Sequence, residues 1–299
     1  MILIIGAGGF LGREVTKLLL SRGEQVRLFV RTPAKVEDLQ QAGAEVIQGD
    51  LIDPPSLVRA CKGVDRVLAP AHSIVGNGNY KSEAVDDAGH RALIDAAKAA
   101  GVAHFVYISI LGAAPDHPID FWRTKYHIEE YLKASGLSYT ILRLSAFMEW
   151  HAHIFNGKSI LESGKTSLLG QGAKPRNFVA VRDVAQFAIL ALTHPSLKNR
   201  TLEVGGPDNF TNNQVAELYG KIVGVTPKIS HMPPFMAKAM SVMLKPIQPG
   251  ISRIMYLGSL PDDAFCETFD PTTLLAEFPI HLTTLEEFIH ERVAEMKTV

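Results

Sequence analysis

The sequence predicts an α/β protein, with a doubly wound parallel sheet in residues 1–150 and a second, smaller α+β domain in residues 151–299. Two observations predict this fold class. Short apolar runs alternate with segments of helical period in the first half, and the first run, Ile2–Ile5, is apolar throughout, as in a strand buried on both faces. Strands separated by helices of this length imply right-handed crossovers and therefore a parallel sheet.

In the first half, each predicted strand is an apolar run, and each predicted helix repeats apolar residues every three or four positions. Gly23 ends the first helix, whose apolar residues are Phe10, Leu11, Val15, Leu18 and Leu19. The other predicted strands are 26–30, 45–48, 64–69, 104–108 and 138–142, and the other predicted helices are 57–61, 84–100 and 125–134.

The second half is less regular, and we interpret it as a substrate or partner domain. The predicted strands are 177–181, 201–204 and 228–231, and the predicted helices are 184–193, 212–223, 234–245, 271–277 and 285–297. We expect the strands around 177–181 and 201–204 to return to the first domain. The stretch 232–255 is rich in methionine, which fills irregular gaps and suits adaptable surfaces. A core-facing helix, a lid over an apolar substrate, and a patch for a partner or membrane surface all remain open for it.

Composition limits the class of protein. The 299 residues carry 30 basic and 31 acidic side chains, and a net charge of −1 argues against a nucleic-acid partner. Cys61 and Cys266 are too few for a disulfide framework and indicate a reducing compartment. The N-terminus lacks the pattern of a signal peptide, and no stretch approaches the roughly 20 apolar residues of a membrane span. We therefore expect a cytoplasmic protein.

A glycine-rich loop, GAGGFLG at residues 6–12, joins the first strand to the first helix. Gly6 allows the tight turn, Gly9 lets the backbone approach a pyrophosphate, and Gly12 permits close packing of helix on strand. The positive end of the helix then favours the bound anion. The strand–turn–helix context predicts a Rossmann-type dinucleotide site. The loop residues predicted to contact the cofactor are Gly6, Gly9, Phe10, Leu11 and Gly12.

The end of the second strand indicates which dinucleotide is bound. An NAD site usually has an acidic residue there for the ribose 2′-hydroxyl, whereas this sequence has Arg31, followed by Lys35. A guanidinium can bind a 2′-phosphate with two parallel hydrogen bonds, so NADP(H) is favoured over NAD(H). The alternative is a surface arginine that stacks on adenine and selects neither. Asp50, with Leu51 beside it, is expected at the adenine; its alternative is a turn or capping role, for which Asp53 competes.

These motifs resemble those of the NmrA-like branch of the atypical and extended short-chain dehydrogenase/reductase superfamily. The resemblance covers essentially the whole chain and rests on GAGGFLG, FVRTPAK, GDL at 49–51, YISILGA at 107–113, and SGLSYTILR with SAFM at 135–148. It implies that residues after the fourth and sixth strands line the cofactor, with the latter near the nicotinamide. These residues are Ala69, Pro70 and Ala71, and then Ser145, Ala146 and Phe147.

The superfamily's Tyr-x-x-x-Lys motif is incomplete here. Lys125 is kept, but Phe121 stands where the tyrosine would be, and a phenyl ring transfers no proton. Tyr126 follows the lysine directly and so points about 100° away on a helix. By resemblance, Ser109 matches the helper serine, and we take Lys125 and Ser109 as the candidate catalytic residues. For Lys125 a ribose anchor, a base, and an exposed lysine paired with Glu129 remain open.

Two functions follow from these expectations. The first is a reductase that moves hydride from NADPH to a small apolar acceptor such as a quinone or enone, with Lys125 orienting the ribose and Ser109 polarising the acceptor. The second is a non-catalytic NADP(H) sensor or assembly factor that binds a protein partner. No metal site is predicted, since His151 and His153 lack an evident third ligand.

Overall fold

The computed structural model describes residues 1–260 and 267–297. Cys266 lies outside the described residues. The chain divides into two compact units: residues 1–143 with 184–203, and residues 144–183 with the described part of 204–299. The chain thus leaves the first unit after Arg143 and returns to it for residues 184–203.

The elements are numbered in chain order. The strands are β1 (Ile2–Ile5), β2 (Val26–Val30), β3 (Glu45–Gln48), β4 (Arg66–Ala69), β5 (His104–Ile110), β6 (Tyr139–Leu144), β7 (Ala146–Phe147), β8 (Lys165–Leu169), β9 (Arg176–Val179), β10 (Arg200–Val204), β11 (Asn209–Phe210) and β12 (Lys228–Met232). The helices are α1 (Phe10–Ser21), α2 (Glu37–Gln41), α3 (Pro54–Cys61), α4 (His90–Ala99), α5 (Asp120–Ala134), α6 (Lys158–Ser163), α7 (Val181–Thr193), α8 (Asn212–Val223), α9 (Pro234–Leu244), α10 (Pro249–Leu257), α11 (Thr272–Glu277) and α12 (Leu285–Lys297).

The first unit is built on a seven-stranded sheet in the order β10-β6-β5-β4-β1-β2-β3. The β1–β2, β1–β4, β2–β3 and β4–β5 pairs run parallel. All four residues of β1 are buried, as its apolar run predicts. The strand order reverses between β1 and β4, and ligands of doubly wound sheets bind at the carboxyl ends of the strands at such a point. The predicted doubly wound α/β fold is confirmed.

The second unit contains smaller sheets and most of the later helices. Strands β11, β9 and β7 form one sheet, and β12 pairs in parallel with β8. Thr211 caps α8, since its hydroxyl accepts from the Gln214 amide and the Gln214 side chain accepts from the Thr211 amide. Among the described residues, no helix is both long and apolar enough to cross a membrane.

Several elements differ from the sequence expectation. The strand expected to return at 177–181 is β9, which pairs with β7 and β11 instead of the seven-stranded sheet; the strand expected at 201–204 is β10, at the edge of that sheet. The expected helix 84–100 begins with a π-helical turn, Glu83–Gly89, before α4. Helix α5 begins at Asp120 rather than 125, and the Asp120 carboxylate in its first turn accepts from the Phe121 amide and interacts favourably with the positive end of the helix dipole.

Candidate functional site

The glycine loop lies between β1 and α1, in the first unit. Gly6 has a φ of +89°, and a Cβ there would lie 3.0 Å from the Cβ of Ala71, which follows β4. A Cβ on Gly12 would lie 2.5 Å from the carbonyl oxygen of Gly6. The loop therefore folds back tightly on itself and against the chain after β4, so both positions require glycine.

The start of α1 is suited to an anion. Gly9 adopts an extended conformation at the N-cap, and within this fully described helix no side chain caps the terminus and no acidic residue lies in the first turn. A helix N-terminus of this kind offers backbone N–H groups and the positive end of the helix dipole. The glycine cradle and the uncapped terminus fit a dinucleotide pyrophosphate.

A Gly12→Ala substitution tests the cradle. Because the added methyl would meet the Gly6 carbonyl oxygen at 2.5 Å and the Ala7 Cα at 2.8 Å, the loop must shift. We expect the free energy of unfolding to fall by about 1–3 kcal/mol, as in other overpacked sites, with a loss of dinucleotide binding. Chemical denaturation measures the free energy of unfolding, and isothermal titration calorimetry measures the binding of the dinucleotide.

Gly8→Ala is the matched control for stability. Its Cβ would meet nothing closer than the Lys35 Cβ at 3.8 Å, which is an ordinary contact. Equal destabilisation by the two substitutions would contradict the packing role given to Gly12.

A basic face flanks the glycine loop. Arg31 and Lys35 are both exposed, and the Arg31 guanidinium lies 4.4 Å from the centre of the Tyr80 ring, in cation–π contact. Arg13 of α1 donates to the Lys35 carbonyl oxygen at 2.8 Å and pairs with Asp38. These contacts fix the segment that carries Arg31 and Lys35 to the start of α1. Sequence reasoning did not single out Tyr80, whose glycine- and asparagine-rich loop gives no periodic signal.

The residues expected to contact the adenine, and those expected to line the cofactor after β4, make contacts within the first unit. Asp50 Oδ1 accepts from the Ile52 amide at 3.2 Å, so the turn interpretation of this residue is realised. Leu51 is buried beside Gly89 of the π-helical turn. Ala69 is fully buried at the end of β4, whereas Pro70 and Ala71 are half-buried. Adenine contact by Asp50 and Leu51 stays a prediction.

Lys125 lies on α5 with its side chain turned into the first unit, only 4% exposed. Its Nζ donates to the Ile108 carbonyl oxygen at 3.1 Å and lies 4.8 Å from the Tyr107 ring centre and 5.5 Å from that of Phe121. Burial lowers the pKa of the Lys125 ammonium, and the carboxylates of Asp86 and Glu129 partly oppose this. The exposed-lysine alternative is therefore wrong. One of the ammonium's three donors is used by Ile108, so it retains capacity for ribose hydroxyls.

Ser109 belongs to a buried charge network. Its hydroxyl donates to Glu129 Oε1 at 2.5 Å, and Arg143 binds the same carboxylate with two groups, Nε at 3.0 Å and Nη2 at 2.7 Å. Glu129 is fully buried. Polarising an acceptor requires the hydroxyl hydrogen of Ser109, which Glu129 holds in this structure. The geometry favours Ser109 as a positioning residue for Glu129.

Three further buried polar side chains surround Lys125. Asp86 accepts from the Ser73 amide at 3.0 Å and the Ser82 hydroxyl at 2.7 Å. Burial lowers the pKa of His90 to about 4 and raises that of Tyr107 well above its ordinary value, so both side chains are neutral near pH 7. Within the described chain, the Tyr107 hydroxyl has no hydrogen-bond partner. The only charge that these three side chains add beside the ammonium is therefore the Asp86 carboxylate, which favours the protonated form of Lys125.

Ser145, Ala146 and Phe147 belong to the second unit. The Ser145 amide donates to the Val204 carbonyl oxygen at 3.0 Å, and Ala146 and Phe147 form β7. Among the residues described, the buried Ser145 Oγ has no hydrogen-bond partner. Their place near the nicotinamide stays a prediction.

His153 Nδ1 lies 3.1 Å from the Tyr219 hydroxyl, and the described residues contain no cluster of three metal-ligating side chains.

Known proteins resemble this chain along most of its length. A family model described as NAD(P)H-binding matches residues 6–195. The chain is 31% identical over 245 residues to the photosystem II assembly factor Ycf39 of Trieres chinensis, covering 80% of this chain and 74% of that protein. It is 31% identical over 300 residues to quinone oxidoreductase 2 of Escherichia coli, covering 94% and 98%.

The fold also matches a solved structure. The NADPH-dependent quinone oxidoreductase of Escherichia coli, crystallised with NADPH, superposes with a TM-score of 0.80 at 26% identity, covering 98% of this chain and all of that one. The structural likeness thus extends over both units of the chain.

Proposed function

Because this chain belongs to the NAD(P)H-binding, NmrA-like branch of the atypical short-chain dehydrogenases/reductases, we propose that it is a reductase that moves hydride from NADPH to a small apolar acceptor such as a quinone or an enone. The observation that carries the proposal is the buried ammonium of Lys125 beside Phe121. The site keeps the lysine that anchors a ribose and has a phenyl ring in place of a proton-transferring phenol. Such a site suits an acceptor that takes its proton from water.

Each residue has a defined task in this proposal. NADPH, when bound, supplies the hydride. The loop glycines Gly6, Gly9 and Gly12 hold the pyrophosphate, and Lys125 would hold the nicotinamide ribose through the donors that Ile108 leaves available. Asp86 and Glu129 favour the protonated form of the lysine, because their charges oppose the effect of burial on its pKa.

A network behind the lysine supports this arrangement. Ser109 and Arg143 fix the Glu129 carboxylate on the same helix as Lys125, one turn further along. The carboxylate of Glu129, which favours the charged lysine, is thus itself held by one hydrogen bond from Ser109 and three from Arg143, at 2.5 to 3.2 Å. Preorganised groups of this kind act without having to rearrange when the ligand arrives.

A second candidate function is an NADP(H)-binding assembly factor or sensor that acts on a protein partner. Two observations favour it: the missing tyrosine at Phe121 and the similarity to the assembly factor Ycf39. Turnover separates the two functions. A reductase consumes NADPH when quinones or enones are supplied, whereas a sensor binds NADPH tightly and consumes none with any of them.

The choice of cofactor depends on Arg31 in this proposal. Its exposed guanidinium is held against Tyr80, next to the glycine loop, where it can bind a 2′-phosphate. We expect Arg31→Asp to weaken NADPH binding on the order of 10- to 100-fold, the range of a hydrogen bond to a charged group. NADH binding should change little, because a carboxylate accepts from a ribose 2′-hydroxyl. Calorimetric titration of both dinucleotides measures the difference.

Arg59→Asp is the control for charge. Arg59 is an exposed arginine on α3, so its replacement makes the same change of net charge. It should leave the ratio of the two dissociation constants unchanged. Equal losses of NADPH and NADH affinity in Arg31→Asp would contradict the assignment of the 2′-phosphate contact.

A further inference from the structure

Several large apolar side chains of the helical hairpin formed by α9 and α10 in the second unit are exposed. Phe235 is 73% exposed, Val242 69%, Met243 66% and Ile247 72%. Isolated apolar side chains are common on protein surfaces, whereas several strongly exposed ones on a single short helix and the turn after it indicate an interaction site. The methionines Met236 and Met243 are both exposed, so the methionine-rich stretch does not form one buried stripe.

The inside of the hairpin is made of small residues. Ala237 and Ser241 of α9 are buried, as are Gly250 and Ser252 of α10. The Ser252 hydroxyl donates to the Ser241 carbonyl oxygen at 2.7 Å and ties the two helices together. The fully buried positions of the hairpin are therefore small residues, whereas several of its bulky apolar side chains are exposed, which is unusual for a helix pair that faces water.

The exposed apolar residues of α9 form a stripe along one side of the helix. At 100° per residue, positions 235, 239 and 242 fall within about 60° of one another. Lys238 and Lys245, both exposed, are seven residues apart and lie along one border of this apolar stripe. Long lysine side chains at such a border can keep the charge at a polar level while their stems cover apolar surface.

The hairpin lies in a basic segment of the sequence, although the chain as a whole is nearly neutral. Between Glu217 and Asp262 the sequence has five basic and no acidic residues, although the whole chain has a net charge of −1. An apolar stripe bordered by lysines and free of carboxylates complements a surface that is apolar inside and anionic at its rim. A bilayer containing anionic lipids has this arrangement.

We propose that the α9–α10 hairpin docks on the surface of an anionic lipid bilayer. It would lie in the plane of the interface with Phe235, Val242 and Met243 among the acyl chains and the lysines among the headgroups. Helix α9 has 11 residues and is about 16 Å long at 1.5 Å per residue, so it is too short to span. This proposal does not depend on whether the chain turns over NADPH.

The test is co-sedimentation of the full chain with vesicles of phosphatidylcholine alone or mixed with phosphatidylglycerol. We expect binding to the mixed vesicles that weakens as salt is added, and much weaker binding to the neutral ones. Met243→Glu should abolish binding. The double substitution Lys238→Gln/Lys245→Gln should weaken binding on the order of 30-fold, from the usual contribution of a basic residue near an anionic leaflet.

Val58→Glu is the matched control, because Val58 is an equally exposed apolar residue, on α3 of the first unit. It should bind vesicles like the unsubstituted chain, and all variants should keep the same thermal midpoint and NADPH affinity. The proposal is overturned if the chain binds neither vesicle, if neutral and anionic vesicles bind it equally, or if Val58→Glu loses as much binding as Met243→Glu. It is also overturned if sedimentation shows a dimer that Met243→Glu dissociates, since the face would then meet a second copy.

Discussion

Lys125→Met is expected to lower the rate of NADPH-dependent quinone reduction on the order of 100-fold, the usual cost of a misplaced reacting group. Methionine keeps the length and apolar stem of the lysine but removes the ammonium, which donates to the Ile108 carbonyl oxygen and lies beside Tyr107 and Phe121. Without it the nicotinamide ribose loses its proposed anchor. Steady-state rates and calorimetric NADPH titrations measure the effect.

The kinetic constants that change in Lys125→Met distinguish a ribose anchor from a base. A ribose anchor predicts a raised NADPH dissociation constant with an unchanged pH profile of kcat, whereas a base also shifts that profile. Lys133→Met, the same replacement on the same helix at a lysine that pairs with Glu130, should have no effect on either. Full activity and full NADPH affinity in Lys125→Met, with the fold intact, would remove Lys125 from the site.

Arg143→Met is expected to lower the free energy of unfolding by about 3–5 kcal/mol, the cost of breaking a buried ion pair from one side. The Glu129 carboxylate is fully buried, and Arg143 binds it through Nε at 3.0 Å and Nη2 at 2.7 Å. After the substitution, Ser109 alone would donate to it among the hydrogen bonds described. Chemical denaturation measures the loss.

Two comparison variants make this prediction specific. The double substitution Glu129→Met/Arg143→Met removes the stranded charge and should recover most of the lost stability. Arg91→Met removes a partly solvent-accessible pair with Asp87 and a cation–π contact with the Tyr131 ring at 4.6 Å, and it should cost only about 1 kcal/mol. A loss in Arg143→Met no larger than that in Arg91→Met, or a double variant less stable than the single, would show that the network does not depend on charge.

The sequence predicts the sheet of the first unit well, because each strand is a short apolar run bounded by helical period. The strands predicted at 2–5, 26–30 and 45–48 have the same bounds in the structure. Short elements such as β7 are not predictable in this way, since two residues carry no period. The π-helical turn at 83–89 is not predictable either, because π- and α-helices repeat apolar residues at similar spacings.

The candidate site is predictable where chemistry follows local spacing. The glycine loop between β1 and α1, and the shared helix face of Phe121 and Lys125, follow from their spacing in the sequence, whereas the burial of the Lys125 ammonium does not. The partners of that ammonium are not predictable locally. Glu129 has the spacing of a surface partner for Lys125, yet it binds Arg143 of β6, because the packing of α5 on the sheet brings these two together.

Reduction of a quinone to its hydroquinone, with NADPH oxidised to NADP⁺ and one proton taken from water, is the decisive measurement for the proposed reductase. The full chain is mixed anaerobically with a limiting amount of NADPH and an excess of a small quinone, and both products are quantified over time. We expect one hydroquinone per NADPH consumed, at a rate that depends on Lys125 and not on Lys133. Tight binding of NADPH that remains unoxidised, with quinones and enones alike, would contradict the reductase and favour the sensor.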